Sequence, residues 1–404
     1  MKKNIEEETQ ALNIKSDKSN SDTYHILNEE KSNKKEEKKI RNSSFEIIRI
    51  ILMIFIALSH ILFHTKTLPK LDEKNYLKIL NGRYIILRIL SNYGKLGDIT
   101  FIMISGYFSV KRLNFHYIKF ILIASETYVY HYLFLYISYK LKDIYKDIEL
   151  LKPRKGSTYF PLISILGHWF TQHYLLLLIF MPFINRGLLS LNHEEYKKLV
   201  YLIIIFYCIL RSLVNTYKIE SSIFSATQLE KLLLPYIIGG YIKIYDLKNK
   251  FFWKIFGIIS FALTIIFEII YDYLAVYYEN YIYIIWQNEL SLNINSILLF
   301  STSVGIICLC KDIKIYNKMI NFISASVLGI YLIHANKNIA PFIYNAWFKT
   351  NDYNEDRFFI KYIEKGFLIF FICLFIDIIR RYTIGILIEK IVKIIVDLLQ
   401  KQQK

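Results

Sequence analysis

The residue types able to do chemistry in this chain are concentrated at a few points of an otherwise apolar sequence. The stretch Phe45–His64 reads FEIIRIILMIFIALSHILFH, 20 residues broken only by Glu46, Arg49, Ser59, His60 and His64. Arg49 and His60 are eleven positions apart, three helical turns plus about 20°, so on one helix they share a face at ~17 Å separation. Arginine offers a rigid, permanently charged fork suited to phosphate. An imidazole held away from water can accept a proton from a hydroxyl. Ionisable groups inside a span are costly enough to mark function. The same residues also admit a plainer arrangement, with Glu46 and Arg49 as an i,i+3 ion pair and His60 hydrogen-bonded to a neighbouring helix. His60 and His64 stand at i,i+4, half of a metal site, but no HExxH motif or nearby third ligand accompanies them, and no metal is expected.

Four further groups invite the same question. Ser105-Gly106 precedes a basic cluster of Lys111, Arg112 and Lys119. A small pair permits close helix approach, while the cations would flank the mouth of a site for an anionic donor. Downstream, His168, Trp169, Gln172, His173 and Tyr174 crowd one end of an apolar run. An aromatic belt explains the rings, but the histidines and glutamine exceed what a belt needs. Trp169, His173 and Tyr174 are therefore assigned to an acceptor cavity, where flat aromatic faces suit sugar rings. His334 and Asn336, in SVLGIYLIHANKNIAPF, supply a second polar group for the cavity that His60 faces. Glu126, Arg211, Glu268 and Asp377 also fall in apolar runs, where pairing with neighbouring helices is the default.

The elements that must position these groups are helices in a bilayer. Of 404 residues 54% are hydrophobic, with a mean hydropathy of +0.30. Continuous apolar runs recur from Phe45 onward, without the alternation a membrane barrel shows. The expected fold is an all-α polytopic membrane protein of about ten transmembrane helices enclosing a polar cavity. The spans fall near 45–64, 96–110, 118–139, 160–184, 199–215, 230–246, 251–271, 292–310, 320–345 and 360–379. The net charge of +17 resides largely in short loops, as positive-inside topology requires, and does not indicate nucleic acid. The Lys-rich segments 65–95 and 140–158 break that pattern on the outer side, so either they fold as interfacial helices or the early span count is wrong. Cys208, Cys308, Cys310 and Cys373 all lie in apolar runs and read as small buried hydrophobes. Residues 1–43 form a charged tail with no signal-peptide core, 44–380 the membrane domain, and 381–404 a basic amphipathic helix. Lysines crowding the start of the first span place the N-terminus in the cytoplasm, and the span count places the C-terminus there too.

Five motifs in order then resemble the integral-membrane acyltransferase family 3, whose members O-acylate surface polysaccharides and related glycoconjugates. They are Ser44–Arg49 with His60, Phe101–Phe108, Trp169-Phe170 with Tyr174, Pro182 and Asn185, Tyr236–Tyr241, and Gly329–Asn336. The resemblance covers about residues 43–380. It implies transfer of an acyl group, usually acetyl, from cytoplasmic acyl-CoA to a hydroxyl at or beyond the outer face. His60 would be the essential histidine and Arg49 the arginine near the donor, with Ser105, Lys111, Arg112 and Lys119 completing donor binding. The sequence departs from the pattern after the second span, where many members carry paired arginines and this chain has Lys111 and Arg112. Acetyl-CoA is thus the expected co-substrate, with no tightly bound cofactor. A glycan or glycolipid acceptor and membrane lipids are the expected partners, and the inner cell membrane the expected location. A flippase for a lipid-linked glycan would share the embedded charges, but no internal repeat or paired broken spans support it.

Overall fold

The computed structural model describes residues 42–65, 74–144, 169–217, 229–247, 250–294, 296–347 and 356–402. The tail to residue 41, His168 and the stretch 145–168 lie outside these bounds. Every regular element among the described residues is helical.

Helix α1, Ser43–His64, is the centre of the packing. Its outward-facing residues Ile51 and Phe63 are exposed, while Leu52, Met53, Ile56, Ala57, Leu58, Ile61 and Leu62 are buried. That face serves two cores at once. Phe45 and Leu52 join one core, and Met53, Ile56, Leu58, Ile61 and Leu62 join another. The N-terminus of α1 is pinned by hydroxyls. Ser44 Oγ donates to the carbonyl of Cys310 at 2.7 Å, and Ser43 Oγ donates to Asn321 Oδ1 at 2.9 Å.

Helix α2, Gly82–Ser109, starts at an Asn81 cap whose Oδ1 accepts the Tyr84 N–H at 2.9 Å. It is 28 residues long, and this corrects the span expected from residue 96. Arg88, Asn92, Lys95 and Asp98 lower the apolarity of the helix, yet Arg88, Asn92 and Lys95 are hydrogen-bonded. Arg88 Nη1 donates to Asp272 Oδ1 at 2.8 Å and Nη2 to Asn288 Oδ1 at 3.0 Å. The Lys-rich segment is therefore, over residues 82–95, the first half of a packed helix.

Helix α3 is Tyr117–Ile144 and α4 is Trp169–Ser190, with Pro182 inside it. Helix α5, His193–Ile203, opens with a reciprocal cap. Asn192 Oδ1 accepts the Glu195 N–H at 3.0 Å, and Glu195 Oε2 accepts the Asn192 N–H at 2.9 Å. It runs on through a π-helical segment, Ile204–Leu210, into Arg211–Thr216. Helix α6 is Glu230–Tyr245, α7 is Lys250–Tyr277 and α8 is Ile297–Asp312. Helices α9, Lys318–Ser324, and α10, Val327–His334, follow each other closely. Helix α11, Phe358–Arg380, leads through a π-helical turn into α12, Ile386–Gln402, which packs on α3.

Among the described residues five helical stretches have the length and apolarity to cross a membrane: α1, α7, Tyr117–Leu141, Trp169–Ser190 and His193–Asn215. The sequence reading placed about ten there. Helices α6 and α8 are 16 residues each, and Lys318–His334 is interrupted between α9 and α10. Helix α11 has the length but carries Lys361, Glu364, Lys365 and Asp377. On α7 and α11, exposed Ile258, Ile269, Tyr273, Phe371 and Phe375 form the apolar exterior expected of a protein in lipid.

Glycines set the tightest crossings. A Cβ on Gly106 of α2 would collide with the Tyr236 carbonyl of α6, and one on Gly239 with the Met103 carbonyl of α2. Gly257 of α7 and Gly305 of α8 meet face to face. In lipid, where burial of apolar surface gives little drive, such backbone approach supplies the packing.

Candidate functional site

Two polar clusters flank the buried face of α1. The first surrounds His60, whose ring centroid lies 5.1 Å from His334 of α10, 5.5 Å from His64 and 6.5 Å from Tyr331. His64 stacks on Tyr344 at 5.0 Å with planes 12° apart. Helix α10 brings His334 here because its apolar residues Ile330, Leu332 and Ile333 are buried in the core that α1 shares. His334 is fully buried, and its Nδ1 lies 2.6 Å from the Ile330 carbonyl oxygen. Nδ1 of His60, Nε2 of His334 and the hydroxyl of Tyr344 are buried without a hydrogen-bond partner among the described residues. Each such atom costs about 1–3 kcal/mol. The His60 and His334 atoms belong to rings in contact, and the Tyr344 hydroxyl belongs to the ring stacked on His64.

Asn336, also fully buried, has a local task. Its Oδ1 accepts the Asn338 N–H at 2.9 Å and its carbonyl accepts the Ala340 N–H at 2.7 Å, which together shape the turn after α10.

The second cluster is cationic. Lys119 Nζ donates to the Tyr174 hydroxyl at 2.7 Å, with Ser105 Oγ 3.4 Å from the same oxygen. Arg49 stands within electrostatic reach of Tyr174. The arginine is oriented by Glu46, whose two oxygens lie 3.0 and 3.2 Å from Nη1 and which also accepts the Ser324 hydroxyl. The plainer reading of Glu46 and Arg49 as an i,i+3 pair thus holds geometrically. Tyr174, assigned from sequence to the acceptor side, is placed here with Lys119 and Ser105, which the sequence assigned to the donor.

Aromatic rings connect the clusters. Phe170 lies 6.1 Å from Tyr174 and 5.5 Å from Tyr331, and Tyr331 lies 6.1 Å from His334. Trp169 contacts Phe170 at 5.8 Å. His173 turns Nδ1 to the Trp169 carbonyl of its own helix, 2.5 Å away, so one ring nitrogen is used locally. Sequence reasoning missed Phe170, Tyr331 and Tyr344 as connecting groups. The available signal was spacing, since Phe170 is four before Tyr174 and Tyr331 three before His334.

Lys111 and Arg112 are exposed on the loop between α2 and α3. The loop is held by Asn185 of α4, whose Nδ2 donates to the carbonyls of Ser109 at 2.8 Å and Arg112 at 2.7 Å. Asn185 Oδ1 accepts the Tyr236 hydroxyl at 2.8 Å. At the end of the loop, the Lys119 N–H donates to His116 Nδ1 at 3.2 Å. Partial burial, with the nearby Arg112 and Lys119 charges, holds the His116 ring below the usual imidazole range. The neutral ring is the form that can accept this bond. A groove of about 330 Å³ opens beside this loop, lined by Leu113, Asn114, Phe115, Ile179, Pro182, Phe183 and Arg186, and none of the expected site residues lines it. Among the described residues no group of three His, Cys, Asp or Glu side chains is arranged for a metal ion.

No curated protein and no solved structure matches the chain. A sequence model of the acyltransferase domain of family 3 matches residues 42–379, from the first residue before α1 to the last turn of α11. The chain belongs to that acyltransferase family.

Proposed function

We propose that this acyltransferase moves acetyl from cytoplasmic acetyl-CoA to a hydroxyl of a cell-surface polysaccharide or lipid-linked glycan. It would work in the inner membrane with both termini in the cytoplasm. The observation that carries this reading is the pair of unlike features along α1: Arg49, held by Glu46 near its start, and polar atoms of His60, His334 and Tyr344 near its end that have no hydrogen-bond partner among the described residues.

Each cluster suits one end of the reaction. CoA brings phosphates and a thioester. Arg49, Lys119 and the exposed Lys111 and Arg112 offer charge to the former, and the tyrosine and serine hydroxyls supply further hydrogen bonds. A helical rise of ~17 Å separates Arg49 from His60, a span that an extended pantetheine arm bridges while the nucleotide stays among the cations. The rings of Phe170 and Tyr331 are the wall along which that arm runs. At the other end, His60 meets the acceptor hydroxyl and either takes its proton or carries the acyl group itself. Half-buried Trp169 and His173 present polar and flat surfaces to a sugar.

The experiment is acyl transfer by the purified full chain in detergent, with radiolabelled acetyl-CoA and glycan from the source cell envelope. Label should move to the glycan and depend on Arg49 and His60. No transfer and no acetyl-CoA hydrolysis by the intact protein would defeat this reading.

A further inference from the structure

His334 carries more constraint than a cavity wall requires. Its Nδ1 faces the Ile330 carbonyl at 2.6 Å. A carbonyl oxygen only accepts, so Nδ1 carries the proton and the neutral ring keeps its lone pair on Nε2. That nitrogen is buried and unpartnered, and it belongs to a ring 5.1 Å by centroid from His60. The orphan atom on His60 is Nδ1, also buried. One ring therefore has a lone pair with no donor, and its neighbour has a nitrogen with no partner of either kind. Catalytic hydrogen bonds are often long before substrate arrives and tighten in the reacting complex.

We infer that His334 is a positioning residue that fixes the working tautomer of His60. Its Nε2 lone pair accepts from His60 Nδ1–H, which keeps the proton on Nδ1 and leaves the lone pair of His60 on Nε2 for the acceptor hydroxyl. This rests on the acyl-transfer reading above. In the step itself, the acceptor O–H bond breaks and its proton goes to His60 Nε2 as the new O–C(acyl) bond forms. The C–S bond of the thioester breaks, and the thiolate leaves with the electron pair. The imidazolium of His60 is held by the His334 lone pair, then gives the Nε2 proton to water, and the thiolate takes one from water. The arrangement has the logic of an imidazole base oriented by a third group, with a clamped histidine in place of a carboxylate.

Two measurements on the full chain decide it. In acetyl transfer from acetyl-CoA, His334→Ala should lower kcat by about 10²- to 10⁴-fold with the KM for acetyl-CoA within about threefold. His334→Gln, whose amide oxygen can still accept, should recover at least tenfold of that loss. Equal kcat in the Ala and Gln variants, or wild-type kcat in His334→Ala, overturns the assignment. The second measurement needs no turnover. Nitrogen-15 spectra of histidine-labelled protein should show His60 protonated on Nδ1 in the wild type and redistributed toward Nε2 in His334→Ala. A wild-type His60 protonated on Nε2 overturns the assignment whatever reaction is catalysed. Absence of transfer by the wild type would instead count against the acyl-transfer reading, with the tautomer still judged by the spectra.

Discussion

Replacing Asn185 by alanine should both destabilise the protein and weaken its grip on the donor. Asn185 is fully buried and makes three hydrogen bonds: to the carbonyls of Ser109 and Arg112 and from the hydroxyl of Tyr236. The two donated bonds are worth about 1 kcal/mol each, and the orphaned Tyr236 hydroxyl costs about 1–3 kcal/mol more because Tyr236 is itself fully buried. The sum is about 3–5 kcal/mol. The Ser109 carbonyl keeps its bond from the Arg112 N–H at 3.0 Å, so the damage falls mainly on Tyr236 and on the anchoring of the loop. Tyr236→Phe removes only one of the three bonds and should cost about 1–2 kcal/mol. Adding it to an Asn185→Leu background should cost less than its own single effect, because the shared bond is already gone. The assay is the thermal midpoint of purified protein in detergent, alongside the KM for acetyl-CoA. The loop between α2 and α3 bears Lys111 and Arg112, so its release should raise that KM several-fold. A midpoint for Asn185→Ala within a degree of wild type, with unchanged KM, would refute the reasoning.

Other expectations follow from single contacts. Lys119→Met removes a charged hydrogen bond to Tyr174 and should raise the KM for acetyl-CoA by about 10- to 100-fold, read from steady-state kinetics. Asp272→Ala removes the hydrogen-bonded carboxylate partner of the buried Arg88 guanidinium and should destabilise by about 3–5 kcal/mol in thermal unfolding. Glu268→Gln should be tolerated or mildly stabilising in the same measurement, because both carboxyl oxygens are buried without a hydrogen-bond partner among the described residues and a neutral amide is cheaper to desolvate. Gly239→Ala forces α2 and α6 apart at the Met103 carbonyl and should sharply reduce the yield of folded protein on size exclusion, whereas Gly187→Ala, with open space at its Cβ, should not.

Sequence periodicity located α1 almost to the residue, because an uninterrupted apolar run with a shared Arg49–His60 face has few alternative readings. It placed the start of α2 fourteen residues late, at 96 instead of Gly82. Arg88 and Lys95 fall in the Lys-rich segment that breaks the positive-inside pattern, and Asp272 and Asn288, 184 and 200 positions away, are what receive Arg88. The second cluster was half legible. The Lys111–Lys119 cations stood out by charge, but nothing local tied Tyr174 to Lys119, since that bond joins different helices. Asn185 and Tyr236 were visible only as parts of resembling motifs, and their mutual hydrogen bond shows what those motif positions do physically. His334 was named as a polar neighbour of His60. The clamp on Ile330 was not legible, because it depends on a rotamer that spacing does not specify.

The central claim is that the imidazole of His60 performs the acyl transfer. Its most direct test is the rate at which His60→Ala, at wild-type abundance and thermal midpoint, moves labelled acetyl from acetyl-CoA to glycan. The account predicts a fall of at least about 100-fold with acetyl-CoA binding retained. A His60→Ala protein that transfers at the wild-type rate would contradict it.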